Sequence, residues 1–178
     1  MKTHIALLKG INVGGHKKIL MAELRILLTD LGFQNVQTYI QSGNVIFQSS
    51  EKNSVKLEEI IQNAIKSHFG FEVSVIVKTT SELQTIFDAC PFSKEEKEKS
   101  YFILLNKIPD QILVVKALQI SHENEKVIIK NDCLYFYNDA GFGQARFNMN
   151  TFERKLNVVG TARNYNTMVK LVSLCAEI

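Results

Sequence analysis

Apolar and polar positions along this chain switch between two periods, and the switches mark out its elements. Residues 3–10 form a short apolar run closed by Gly10, which predicts a buried strand. Met21, Leu24, Leu27, Leu28 and Leu31 then recur at spacings of three and four, so they build one apolar face of a helix that Gly32 stops. Two β-rich runs, 36–41 and 45–48, flank Ser42, Gly43 and Asn44, residue types that favour tight turns; together they predict a hairpin. Helical spacing returns in Leu57, Ile60, Ile61, Ala64, Ile65 and His68, between Ser54 as a candidate cap and Gly70. At 72–78, Val73, Val75 and Val77 alternate with other residues, the pattern of a half-buried strand. The resulting order is βαββαβ, the ferredoxin-like unit.

Thr79 and Glu82 have the spacing of a capping box, ahead of a helical face formed by Leu83, Ile86, Phe87 and Cys90 that ends at Pro91. The charge run within 93–100 is mixed in sign and too short for an interaction tail, so it reads as a solvated connection between halves. Beyond it the pattern predicts a strand at 101–105, a helix at 110–120 after Pro109, and strands at 127–129 and 134–137 around Asn131 and Asp132. Helical spacing follows at 151–156 and 166–175. The expectation is an α+β chain with a ferredoxin-like half over 1–91 and a smaller α+β half over 92–178 that ends in helices. Strand, helix, strand, strand opens both halves, which points to a duplicated architecture.

Composition narrows the function classes. With 46% hydrophobic and 22% charged residues, a chain of 178 has ample material for a core. Its 21 basic and 18 acidic residues leave a formal charge of +3, and the pI of about 8.7 falls short of a strongly basic nucleic-acid module. Cys90, Cys133 and Cys175 are odd in number and widely spaced, with no CxxC pair and no histidine at ligand spacing, so they read as reduced thiols and no metal site is expected. The apolar stretch 5–8 is interrupted at Lys9, too short for a secretion signal, and no run approaches the roughly 18 apolar residues of a membrane span. A cytoplasmic protein with no membrane partner is expected. Neither GxSxG nor HExxH occurs, and His4, His16, His68 and His122 are scattered.

Three segments carry a resemblance: ALLKGINVGG at 6–15, TYIQSGNV at 38–45 and GTARNYNT at 160–167. They resemble the bacterial Domain of Unknown Function 1697 family, and the likeness runs from the first strand to the last helix. The resemblance implies a two-part α+β fold and no established activity, substrate or cofactor. Lys9 stands where the family commonly has arginine, and lysine lacks arginine's bidentate fork. Tyr165 stands where the family has tryptophan, and Ala145, within GFGQAR at 141–146, where it often has serine, which argues against a nucleophile there.

In a βαββαβ sheet the end of the first strand and the turn of the hairpin share an edge. That topology places Lys9, Gly10, Asn12, Gly14, Gly15, Lys17 and Lys18 near Ser42, Gly43 and Asn44, with Arg163 and Asn164 as further candidates if they fold onto the same edge. Cations, side-chain amides and glycine N–H groups in one patch suit an anion. The string GINVGGHKK is neither a phosphate loop, since His16 follows Gly15 and no Ser or Thr follows Lys17, nor GxGxxG. A purely structural reading stands beside it: the glycines make a tight turn, Ser42, Gly43 and Asn44 form a hairpin bend, and Arg163 with Asn164 pins the last helix. The function expected is binding of a phosphate-bearing small ligand, nucleotide-like, or of a nucleic-acid backbone. The alternatives are a small transferase or hydrolase using His16 or Ser42 on an anionic substrate, and an RNA- or protein-interaction module. No cofactor is expected.

Overall fold

In the computed structural model the chain is described over residues 1–119 and 123–177. The end of the helix expected to reach Ile120, and His122, lie outside the described residues. Two units make up the chain, Met1–Gln84 with the residues from Leu171 onward, and Thr85–Lys170.

The first unit follows the predicted order: β1 (Lys2–Leu8), α1 (Met21–Asp30), β2 (Gln34–Tyr39), β3 (Asn44–Ser49), α2 (Ser54–Phe69) and β4 (Val75–Thr79). Its strands lie in the order β2, β3, β1, β4, each antiparallel to its neighbours. Leu7 pairs with Asn44, so the end of β1 sits beside the start of β3. Ala6 and Leu8, two apart and therefore on one face of β1, pack with Leu24 and Leu28 of α1 and with Leu57, Ile61 and Ile65 of α2. Each such side chain, fully withdrawn from water, contributes about 1.5–3 kcal/mol relative to exposure.

The caps are partly those expected. Asn53, rather than Ser54, caps α2: its backbone is extended and its side chain accepts the Lys56 N–H at 3.2 Å. Gly70 ends the helix in the left-handed region. At the start of α3 (Thr80–Asp88), Glu82 Oε2 accepts the Thr79 N–H at 2.7 Å and Thr79 Oγ1 accepts the Glu82 N–H at 3.3 Å, the capping box read from the sequence.

His4 is one of the polar residues buried in the fold. It is fully buried on β1 against the Phe47 ring, 5.7 Å between centroids, and neither ring nitrogen has a hydrogen-bond partner among the described residues. Burial pushes its pKa down, Lys2 adds to the shift, and the Glu51 main chain and Glu82 carboxylate pull the other way. A pKa lowered in the fold means that below about 6.5 the unfolded chain takes up a proton the native ring refuses, so stability falls as the pH drops through that point. His4→Leu is expected to stabilise the protein by about 1 kcal/mol at pH 7.5, by removing two unsatisfied atoms, and by more at pH 5.5. Urea unfolding at the two pH values checks this; an equal gain at both contradicts it.

The second unit continues with α4 (Lys94–Glu98), β5 (Tyr101–Leu105), α5 (Gln111–Ala117), β6 (Glu125–Lys130), β7 (Cys133–Asn138), α6 (Met149–Leu156), β8 (Gly160–Asn164) and the part of α7 (Tyr165–Ala176) as far as Lys170. Its strand order is β6, β7, β5, β8, again antiparallel throughout, so each unit arranges four strands in the same way. The duplication extends through α6 and β8. Two elements differ from expectation. The charge run folds into α4, because Ser93 and Glu96 form a reciprocal capping box that satisfies the first turn. β8 interposes between the two closing helices; its sequence GTARN lacks apolar alternation, and its strand character comes from pairing with β5.

Candidate functional site

The loop from residue 9 to residue 20 leaves β1 between two partners. The Leu8 N–H donates to the Gly43 carbonyl at 2.8 Å, and the Lys9 N–H donates to the Ser74 carbonyl at 2.9 Å. Asn12 (φ 55°) then fixes the loop, its Nδ2 donating to the carbonyls of Ile19 (3.0 Å) and Gln41 (2.8 Å) while its Oδ1 accepts the Ile19 N–H (2.9 Å). One amide thus closes the loop and ties it to the hairpin turn. Gly14 and Gly15, both at positive φ, form the exposed bend closed by the His16 N–H on the Val13 carbonyl at 3.0 Å. They do not open a helix: α1 begins only at Met21, after Leu20, which makes no side-chain cap.

The two motifs therefore meet, as the topology requires. At the hairpin, buried Asn44 donates from Nδ2 to the Tyr39 carbonyl and to Ser42 Oγ, 3.0 Å each. Gly43 (φ 79°) lies so close to β1 that an added Cβ would stand 2.6 Å from the Leu8 Cβ. Asn12, Ser42 and Asn44 are thus held in bonds that build the turn and the loop.

A polar hollow of about 520 Å3 opens on the β4 side of the same loop. Lys9, Gly10 and Lys17 line it from the loop, and Gln62, Asn63 and Lys66 line it from α2. Glu72 closes the rim. Lys17 Nζ donates to its main-chain carbonyl at 2.7 Å, and Lys66 Nζ pairs with its carboxylate at 2.8 Å. The Lys66 ammonium holds the Glu72 carboxyl below the usual carboxylate range, Lys17 adding to the effect, and Glu72 in turn raises Lys66. Lys17 and Lys66 thus both act on Glu72, and Lys9 lines the same hollow.

Of the residues expected at a site, Lys9, Gly10 and Lys17 line the hollow. Asn12, Gly14, Gly15, His16, Lys18, Ser42, Gly43 and Asn44 do not line it. Arg163 and Asn164 belong to the second unit. The Arg163 guanidinium is buried, which lowers its pKa to about 10, and Nη1 donates to Thr161 Oγ1 and the Ala162 carbonyl, 2.8 Å each. Asn164 Oδ1 accepts the Thr167 N–H at 2.9 Å in the first turn of α7. Gln62, Asn63 and Lys66 were missed. Their signal is weak: Gln62 and Lys66 are four apart on α2 and so share a face, which periodicity assigns to solvent.

Among the described residues no group of three histidine, cysteine or acidic side chains is placed to hold a metal, and Cys90, Cys133 and Cys175 are free thiols. No described helix is long and apolar enough to cross a membrane.

Two repeated α+β units, with a lysine-lined hollow beside the first loop of one of them, define the class of protein. The family described as Protein of unknown function (DUF1697) matches over residues 1–135, and the chain belongs to it. A solved structure of the same fold is that of the conserved bacterial protein SP0830 from Streptococcus pneumoniae, 22% identical, with 98% of each chain covered and a TM-score of 0.74. No curated protein matches the chain.

Proposed function

We propose that this chain is a binding protein for a phosphate-bearing small ligand, nucleotide-like, taken up in the hollow beside the first strand–helix loop. The observation that supports this reading is the placement of Lys9, Lys17 and Lys66 around one polar space of about 520 Å3, a size within the range of small-molecule sites. Lysine acts on phosphate as a mobile point charge, so three of them accommodate an anion without the fixed fork that arginine would impose. Gln62 and Asn63 offer amides for orientation, and Glu72 is the internal anion that a phosphate displaces from Lys66. His16 does not line the hollow and the Ser42 hydroxyl accepts from Asn44, so neither favours a catalytic reading.

Thermal unfolding with ADP, ribose 5-phosphate or a short RNA, against adenosine as control, tests the reading. A ligand at a hundred times its Kd adds about 2.7 kcal/mol, which raises Tm by about 5–10 °C in a chain of this size. At least one phosphate compound is expected to give that rise, adenosine none, and the Lys9→Ala/Lys17→Ala double variant none with either. An equal rise in the double variant, or no rise with any phosphate compound, refutes the proposal.

A further inference from the structure

The second unit holds a cavity of different character. It is an open cavity of about 530 Å3 whose wall is mainly apolar. Val127, on the edge strand β6, forms one side, and Phe147 and Phe152 form the other. The phenylalanines are held by their own packing: Phe147 stacks on Phe136 at 4.6 Å and meets Phe152 at 4.8 Å between centroids. Glu125 fixes the mouth. Its Oε1 accepts the main-chain N–H of Arg146 at 2.5 Å and of Phe147 at 3.4 Å, which ties this segment to the start of β6.

The charges around the mouth are unequal. The Glu125 carboxylate is engaged by those two N–H groups, and the Lys126 ammonium is taken by Glu96. Asn148 is likewise engaged, capping α6 by accepting the Thr151 N–H at 3.0 Å. The exposed guanidinium of Arg146 makes no hydrogen bond or ion pair among the described residues. Arg146 lines both the apolar cavity and a smaller polar hollow of about 240 Å3 that shares Glu125 with it. An apolar chamber thus adjoins a polar one, with one unengaged cation common to both.

We propose that this cavity binds a small amphipathic acid, an aromatic or medium-chain aliphatic body with a single anionic head, the body lying against Val127, Phe147 and Phe152 and the head on Arg146. Burial of the body follows from the apolar wall, and the volume suits a molecule of that size. The head is anionic because Arg146 is the charged residue lining this cavity that has no partner among the described residues, Glu123 lining only the smaller polar hollow, and its planar fork matches a carboxylate or sulfonate. This site lies in the other unit from the lysine-lined hollow and is independent of the function proposed for it.

Decanoate is the probe, with decanol as its uncharged counterpart. The chain contains no tryptophan, so displacement of 8-anilinonaphthalene-1-sulfonate is read without intrinsic interference. Decanoate is expected to displace the dye and to move the methyl NMR signals of Val127, while ADP leaves both unchanged. Arg146→Ala is expected to weaken decanoate about tenfold and decanol hardly at all, the loss of one charge-assisted bond. Arg146 is exposed, so the variant keeps its fold; Val127→Glu, checked for an unchanged far-ultraviolet spectrum, is expected to abolish binding of both probes. Unmoved Val127 signals at saturating decanoate, or equal weakening of acid and alcohol by Arg146→Ala, overturns the proposal.

Discussion

Gly43→Ala is expected to cost about 3 kcal/mol, through two effects that add at one atom. Its φ of 79° is a conformation that alanine adopts only with strain, and the new methyl would stand 2.6 Å from the Leu8 Cβ and 3.0 Å from the Ile11 Cδ1. The Ile11 terminus can rotate away. The Leu8 Cβ cannot, because its position is set by a main chain whose N–H is bonded to the Gly43 carbonyl. Relief requires β1 and the hairpin to separate, which also displaces Lys9. Gly14→Ala is the control: it carries the same sign of φ, but its Cβ would meet only His16 Cδ2 at 3.8 Å, so a cost of about 1 kcal/mol is expected. Urea unfolding midpoints of the two variants measure the difference, and similar losses would contradict the close approach.

The charges lining the hollow yield the largest expected change in binding. Lys17→Glu replaces one of three cations with an anion and is expected to weaken a phosphate ligand about a hundredfold, since charge-assisted bonds are worth about 1.5–3 kcal/mol and repulsion replaces the one lost. Glu72→Gln is expected to act oppositely, strengthening binding about fivefold, because the phosphate no longer competes with a carboxylate for Lys66. Glu72 and Lys66 are both exposed, so their pair adds little to the fold and unfolding midpoints should barely move. The sign with pH follows from the lowered Glu72 pKa: the carboxylate remains ionised until the pH falls below the ordinary carboxylate range, so between pH 8 and pH 5.5 the gain from Glu72→Gln changes only as the phosphate, whose second ionisation lies at about 6, takes up its proton. Titration calorimetry with ADP at both pH values checks the order Glu72→Gln, wild type, Lys17→Glu. Added salt should narrow the spread.

The first unit was legible because its strands and helices bury one face each, and burial writes a period into the sequence. Leu24, Leu28, Leu57, Ile61 and Ile65 announce two helices, and Ser42, Gly43 and Asn44 announce the bend between strands. β8 lacked that signature. Gly160 has no side chain and packs against the side chains of Met149, Ile103 and Leu105, so this position shows no apolar residue to mark the strand. The meeting of loop and hairpin followed from topology alone. The purpose of their polar groups did not: a sequence shows that Asn12 has an amide, and only the fold shows both ends of that amide engaged at Ile19 and Gln41. The α2 side of the hollow was hidden for the same reason, since Gln62 and Lys66 look like any solvated pair until the loop bearing Lys9 and Lys17 stands opposite them.

A backbone amide NMR titration with ADP measures most directly whether the first loop and α2 hold a phosphate between them. The account predicts saturable shifts centred on Gly10, Lys17, Asn63 and Lys66, with the amides of the second unit's β5 and β7 unmoved. Saturable binding whose largest shifts fall elsewhere, with these four amides unchanged, would contradict it.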